Sequence, residues 1–159
     1  MTQPFRDRPN ALPWPPMIYL AAVALGWLLQ QVDPFDAMDQ ALAMLPRTVG
    51  LALFTAGVGL DFWAFLTLRR ARTTVLPTAG AKALVTDGPY RFSRNPIYLG
   101  NTMALAAFAV ALRWGWLLLL LPVTVAAVNW LGIAREEEHL AARFGADWTA
   151  YAAKVRRWL

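Results

Sequence analysis

Two stretches of this chain carry side chains whose types and spacing suit chemistry. The first runs Asp87-Gly88-Pro89-Tyr90-Arg91-Phe92-Ser93-Arg94-Asn95-Pro96-Ile97-Tyr98-Leu99-Gly100. Gly88-Pro89 is turn chemistry, and Asn95-Pro96 reads as the N-cap and first residue of a helix. Such a helix start presents unpaired amides and a partial positive charge, which suits a carboxylate or a phosphate. Tyr98 and Gly100 fall in the first turns, where a glycine permits close approach of a ligand or of a neighbouring helix. The plainer reading makes Arg91 and Arg94 a basic collar whose stems snorkel along an apolar helix end.

The second stretch lies near the end of the chain. Ile133, Glu137, Leu140, Phe144, Trp148, Tyr151 and Val155 recur at steps of four and three, the spacing of one helix face. Glu137 therefore stands on an otherwise apolar stripe, with Glu136 a quarter-turn away and Glu138 pointing elsewhere. A carboxylate on a buried face must find a cation or hydrogen-bond donor, or give up its charge. A charged first turn complementing the helix dipole accounts for Glu136 and Glu138, but poorly for Glu137. Gly145 is a possible break in this helix, beyond Glu137.

Other reactive types are few. His139, the single histidine, falls off the stripe with no cluster of acids around it, and reads as a solvated surface residue. Asp61 lies within an apolar run, where an acid is a functional candidate by default. Its mid-span place, remote from the two stretches, predicts an interhelical polar contact. With no cysteine, disulfides, thiolate metal sites and a cysteine nucleophile are excluded. No metal site and no catalytic nucleophile or base is singled out.

The elements that must position these residues follow from composition. Apolar residues are 58% of the chain and charged ones 16%, against about 45–50% and 25% in soluble domains. The runs Val49 to Leu68 and Trp114 to Ala134 are long enough to cross a hydrocarbon core about 30 Å thick. Met17 to Val32 and Ile97 to Leu112 are shorter and nearly free of charge. The segments lack the polar face that a water-soluble bundle needs. The expectation is an all-α polytopic membrane bundle of about four transmembrane helices plus a C-terminal cytoplasmic amphipathic helix, forming a single domain over 1–159. Met1 to Pro16 is a polar lead-in rather than a cleavable signal.

Charge placement predicts the orientation. Of the fifteen Lys and Arg residues, thirteen fall on one side of this topology and only Arg47 and Arg113 on the other. That asymmetry puts both termini and the Arg69 to Asn95 loop in the cytoplasm, while Asp33, Asp36 and Asp39 occupy an outer loop. Topology and anionic lipid then account for the net charge of +5, and nucleic acid is not an expected partner. Arg113-Trp114-Gly115-Trp116 is a tight outer turn, its tryptophans belonging to the interfacial belt. A loop as long as Arg69 to Asn95 is a functional candidate in a compact helical protein.

Thr74-Val75-Leu76-Pro77, Leu84-Val85-Thr86-Asp87-Gly88-Pro89-Tyr90-Arg91, Arg94-Asn95-Pro96-Ile97-Tyr98-Leu99-Gly100, and then Glu136-Glu137 with Leu140, Phe144-Gly145 and Tyr151 together resemble the isoprenylcysteine carboxyl methyltransferase family, whose wider circle includes the phospholipid N-methyltransferases. The resemblance covers the chain from Thr73 onward, with matching span order before it. It implies an S-adenosylmethionine site between the loop of residues 73–100 and the C-terminal segment 133–159. Carried over by position, the cofactor-binding residues are Tyr90, Arg94, Asn95, Pro96, Tyr98, Gly100, Glu136 and Glu137. Asn95 stands where the eukaryotic enzymes have histidine, which removes any base there, and Trp148 stands where tyrosine is usual.

The residues agree physically with that assignment. Glu137 suits the cofactor's ammonium, the helix start with Arg94 its carboxylate, and aromatic faces such as Tyr98 its sulfonium. The expected acceptor is a lipid-like or prenylated small molecule at the cytoplasmic face of a bacterial inner membrane. Two other functions remain open: a membrane reductase of the sterol or steroid type using NADPH, and a non-catalytic membrane protein with an interfacial tail helix. The adjacent glutamates weigh against the first, and Glu137 on the apolar face against the second.

Overall fold

The computed structural model describes residues 12–74 and 79–159. Arg6 and Arg8 of the charge count, and Val75, Leu76 and Pro77 of the first motif, lie outside the described residues. Among the described residues the secondary structure is helical throughout: α1 (Trp14–Val32), α2 (Asp36–Ala43), α3 (Arg47–Arg70), a 3-10 turn (Gly88–Arg91), α4 (Pro96–Leu112), α5 (Gly115–Val128), a π segment (Asn129–Ile133), α6 (Ala134–Phe144) and α7 (Ala146–Ala152). Three helices are long and apolar enough to cross a membrane, Trp14–Val32, Arg47–Arg70 and Gly115–Phe144, and Pro96–Leu112 is a shorter apolar one. The chain is a helical membrane protein. Its outer surface carries the apolar side chains that lipid requires, among them Trp130 at 75% exposure and Phe62 at 62%.

Inside the bundle, small residues set the packing. α3 lies closely along α4, and α1 along α5. A Cβ on Gly57 would stand 2.7 Å from the Gly100 carbonyl oxygen, so the two backbones meet at a point that only glycine allows. Tyr19 of α1 closes the remaining side. Its hydroxyl donates to the Tyr98 carbonyl at 3.0 Å and lies 2.8 Å from Thr102 Oγ1.

The acidic stretch between α1 and α3 contains the short helix α2 rather than a plain loop. Asp39 Oδ1 accepts the Gly115 amide at 2.7 Å and so satisfies an orphan donor at the start of α5, while its Oδ2 accepts from Gln30. Trp116 has a specific partner beyond any interfacial preference: its indole donates to the Asp33 carbonyl at 2.6 Å and its ring lies 5.4 Å from that of Phe35.

The last apolar run and the tail are continuous. α5, the π segment and α6 form one 30-residue rod. The wider π turn advances α6 by about a quarter-turn relative to α5, and Gly132 leaves room there for the Pro15 ring of α1. The break expected at Gly145 is real: its φ of +50° ends α6, and α7 folds back so that Trp148 and Tyr151 are buried.

Candidate functional site

The end of the bundle where α3 stops and α4 starts holds the site. Gly88, at φ +58° and with Thr67 where a Cβ would stand, starts a tight turn that buries Pro89. Tyr151 of α7 fastens this turn, its hydroxyl donating to the Tyr90 carbonyl at 2.7 Å. The returning segment is held to α3 by Thr73, whose Oγ1 accepts the Lys82 amide at 2.9 Å and the Ala83 amide at 3.3 Å.

Asn95 occupies the N-cap position of α4, but its side chain does not cap the helix. Ser93 Oγ instead accepts the Asn95 amide at 3.1 Å, and Asn95 Nδ2 donates to the Arg157 carbonyl at 3.0 Å. The asparagine thus ties the chain's tail to the helix start.

The glutamate run divides into three environments. Glu138 is exposed. Glu137 finds the cations that its place on the apolar stripe demands: Arg94 at 3.3 Å, and Arg157 through two nitrogens at 2.5 and 3.2 Å. Glu136 accepts the Tyr98 hydroxyl at 2.8 Å and has no ion pair among the described residues. Arg94 lies over Trp148 at 5.6 Å, with its Nε buried and without a hydrogen-bond partner among the described residues.

These side chains share one open cavity of about 150 Å³, smaller than ordinary ligand pockets of about 300–1,000 Å³. Tyr90, Arg94, Asn95, Pro96, Tyr98, Glu136 and Glu137 all line it, with Trp148, Tyr151 and the apolar Ala79, Ala81, Leu84, Val85, Ile97 and Leu140. Gly100 does not line it. Its missing side chain admits α3, since a Cβ there would overlap the Asp61 carboxylate. Asp61 therefore meets α4 just past its first turn, closer to the site than mid-span placement implied, and its Oδ1 is buried with no hydrogen-bond partner among the described residues.

His139 corrects the sequence reading. It is 1% exposed rather than solvated, and its Nε2 accepts the Ala81 amide at 3.2 Å. Periodicity assigns it to the polar side of α6, but the returning segment covers that side. A loop's path leaves no signal in helix spacing. Arg157 was likewise legible only as one more positive charge.

Burial governs the phenols. It pushes the Tyr90 hydroxyl far above its usual range, with the Glu136 charge adding to the rise. Burial also pushes Tyr151 up to about 12 against the opposing pull of Arg94. Both stay neutral donors at physiological pH, and neither is a phenolate base or nucleophile. Among the described residues the cavity offers a carboxylate with no cation, a guanidinium with an unpartnered Nε–H, aromatic faces and an apolar wall. It suits a ligand with a zwitterionic end and a flat apolar body.

Apolar helices with a charged cavity at one end of the bundle define the class, an integral membrane protein. The sequence identifies which: residues 45–147 match the family described as phospholipid methyltransferase, and the chain belongs to that family of membrane methyltransferases. It is also similar to an uncharacterized protein of Haemophilus influenzae, 36% identical over 63 residues, which cover 40% of this chain and 79% of that protein. No solved structure matches the chain.

Proposed function

We propose that the protein is an S-adenosylmethionine-dependent methyltransferase working at the cytoplasmic face of a bacterial inner membrane, on an acceptor with an apolar or lipid-like group. An isoprenylcysteine-type carboxylate or a phospholipid fits that description. The observation that carries the proposal is a complementary pair in one cavity: among the described residues Glu136 has a phenol beside it but no cation, and Arg94 has a buried Nε–H without an acceptor.

The donor molecule ends in an ammonium and a carboxylate on one carbon. Glu136 suits the first and Arg94 the second, each as a charge-assisted contact. The apolar stripe read from the sequence assigns the ammonium to Glu137. Glu137 is already held between two guanidiniums, which favours Glu136. The Trp148 and Tyr90 rings offer electron-rich faces to a sulfonium, and the apolar wall from Ala79 to Val85 suits an adenine.

When bound, S-adenosylmethionine supplies an electrophilic methyl group. Glu136 and Arg94 would hold its amino-acid end, and orientation of this kind is a main source of rate in methyl transfer. Tyr98 keeps Glu136 aimed into the cavity, and Leu140, Val85 and Ile97 exclude water. The Tyr151 hydroxyl donates to the Tyr90 carbonyl, and neither phenol competes as a nucleophile. A carboxylate acceptor needs no base.

Titrating S-adenosylhomocysteine and, separately, NADPH into the detergent-solubilised protein tests the reading. Binding of the first alone supports it, and binding of NADPH alone would move the assignment to the reductase type. Orientation rests on the thirteen-to-two charge asymmetry. Reporter fusions at Leu159 should report from the cytoplasm, and a fusion found outside would overturn the cytoplasmic placement.

A further inference from the structure

The C-terminal residues do more than end the chain. Arg94 N donates to the Arg156 carbonyl at 2.9 Å, and Ser93 Oγ and Asn95 Nδ2 donate to the Arg157 carbonyl at 3.3 and 3.0 Å. Trp158 Nε1 reaches Asn129 Oδ1 of the π segment at 3.2 Å. The tail is thus strapped to the residues on both sides of Arg94 and to the base of α6. That fixes the Arg157 guanidinium against Glu137, although Arg157 lies outside the cavity wall.

The two cations on Glu137 are unequal. Arg157 contacts it through two nitrogens, at 2.5 and 3.2 Å, whereas Arg94 contacts it through one at 3.3 Å. A carboxylate that is half buried draws in whatever cation is near. Without Arg157, the full charge of Glu137 would fall to Arg94. The guanidinium would then turn toward a two-point pairing with Glu137, leaving fewer of its N–H groups for a ligand in the cavity that Arg94 lines.

Resting on the cofactor reading above, we infer that Arg157 is a positioning residue: by neutralising Glu137 it leaves Arg94 free to bind the carboxylate of the cofactor's amino-acid end. Arg157 touches neither cofactor nor acceptor in this assignment. Its effect passes through Glu137 and Arg94.

The test compares two ligands by calorimetry on the full-length protein. S-adenosylhomocysteine carries the amino-acid end; 5′-methylthioadenosine has the adenosine and sulfur but neither charged group. Arg157→Gln should weaken the first about tenfold, the loss of roughly one charge-assisted contact, and leave the second within about twofold. The double variant Glu137→Gln/Arg157→Gln removes the competing carboxylate and should recover most of the loss. Equal weakening of both ligands would make Arg157 a purely structural residue and overturn the inference, as would no change in either or a double variant weaker than the single one. If Arg157→Gln fails to melt cooperatively, Arg157→Lys, which keeps the charge but not the two-point contact, carries the same comparison with a smaller shift in the same direction. A parent protein that binds neither ligand would instead remove the cofactor reading, and the inference with it.

Discussion

Replacing Glu136 with glutamine puts the assignment of the cofactor's ammonium at risk. The two side chains have nearly the same shape, and a glutamine oxygen can still accept the Tyr98 hydroxyl that now lies 2.8 Å from Glu136 Oε1. Stability should therefore change by less than about 1 kcal/mol, the worth of one neutral hydrogen bond. Binding should change far more. A contact between a carboxylate and an ammonium contributes about 1.5–3 kcal/mol, so affinity for S-adenosylhomocysteine should fall about ten- to a hundredfold at 1.4 kcal/mol per decade. The neighbours supply the controls. Glu138 is exposed, and Glu138→Gln should leave affinity within about 0.5 kcal/mol, as for most surface changes. Glu137→Gln takes the counter-charge from Arg94 and Arg157 and should act first on stability, by about 1–3 kcal/mol, with a smaller loss of affinity than Glu136→Gln. Isothermal titration of each purified variant, with thermal melts alongside, gives both quantities. Equal affinities for the Glu136 and Glu138 variants would refute the reasoning, because an unpaired carboxylate in the cavity would then not be meeting a cation.

Further expectations follow from the packing and from the bilayer. Gly100→Ala puts a methyl group into the Asp61 carboxylate and the Gly57 carbonyl; overpacking of this kind costs about 1–3 kcal/mol, read as a lowered melting midpoint, while an unchanged melt would mean that the α3–α4 crossing is loose. His139→Ala removes the acceptor of the Ala81 amide and should speed hydrogen exchange at that amide, whereas unchanged exchange would show that other contacts hold the segment. Shortening the acceptor's apolar tail should weaken its apparent affinity by about 0.8 kcal/mol per buried methylene, measured as a stepwise rise in KM; equal activity on a water-soluble analogue would contradict entry from the bilayer.

The membrane bundle was legible because apolar run length is a one-dimensional property, and the four runs became three helices long and apolar enough to cross a membrane and one shorter apolar helix. Glu137 was legible for a related reason: an acid on an apolar stripe demands a cation whatever the fold. Which cation was not legible. Arg157 lies beyond the last periodic residue, and it reaches Glu137 only because backbone carbonyls at 156 and 157 are strapped to residues 93–95. The continuity of α5 with α6 was hidden for a similar reason. The π turn at Asn129–Ile133 sits where Gly132 meets Pro15, a contact between chain positions more than a hundred residues apart. Gly100 shows the limit of motif reasoning, since proximity in sequence to Tyr98 placed it on the helix but could not tell which neighbour its bare face admits.

The charges of the site have a consequence for the reaction class. Two carboxylates, Glu136 and Glu137, stand with two guanidiniums, Arg94 in the cavity wall and Arg157 beside it, so these four groups balance when both carboxylates are ionised. A zwitterionic amino-acid end adds no net charge and redistributes the balance between Glu136 and Arg94. Under the proposed cofactor reading the sulfonium would be the one uncompensated charge that the donor brings, and the aromatic faces of Tyr90 and Trp148 would border it without neutralising it. Methyl transfer to an anionic acceptor cancels that charge with no proton moved by the protein. In the proposed reading, phenols that burial keeps protonated are adequate for such chemistry, and specificity would fall to the acceptor's apolar group.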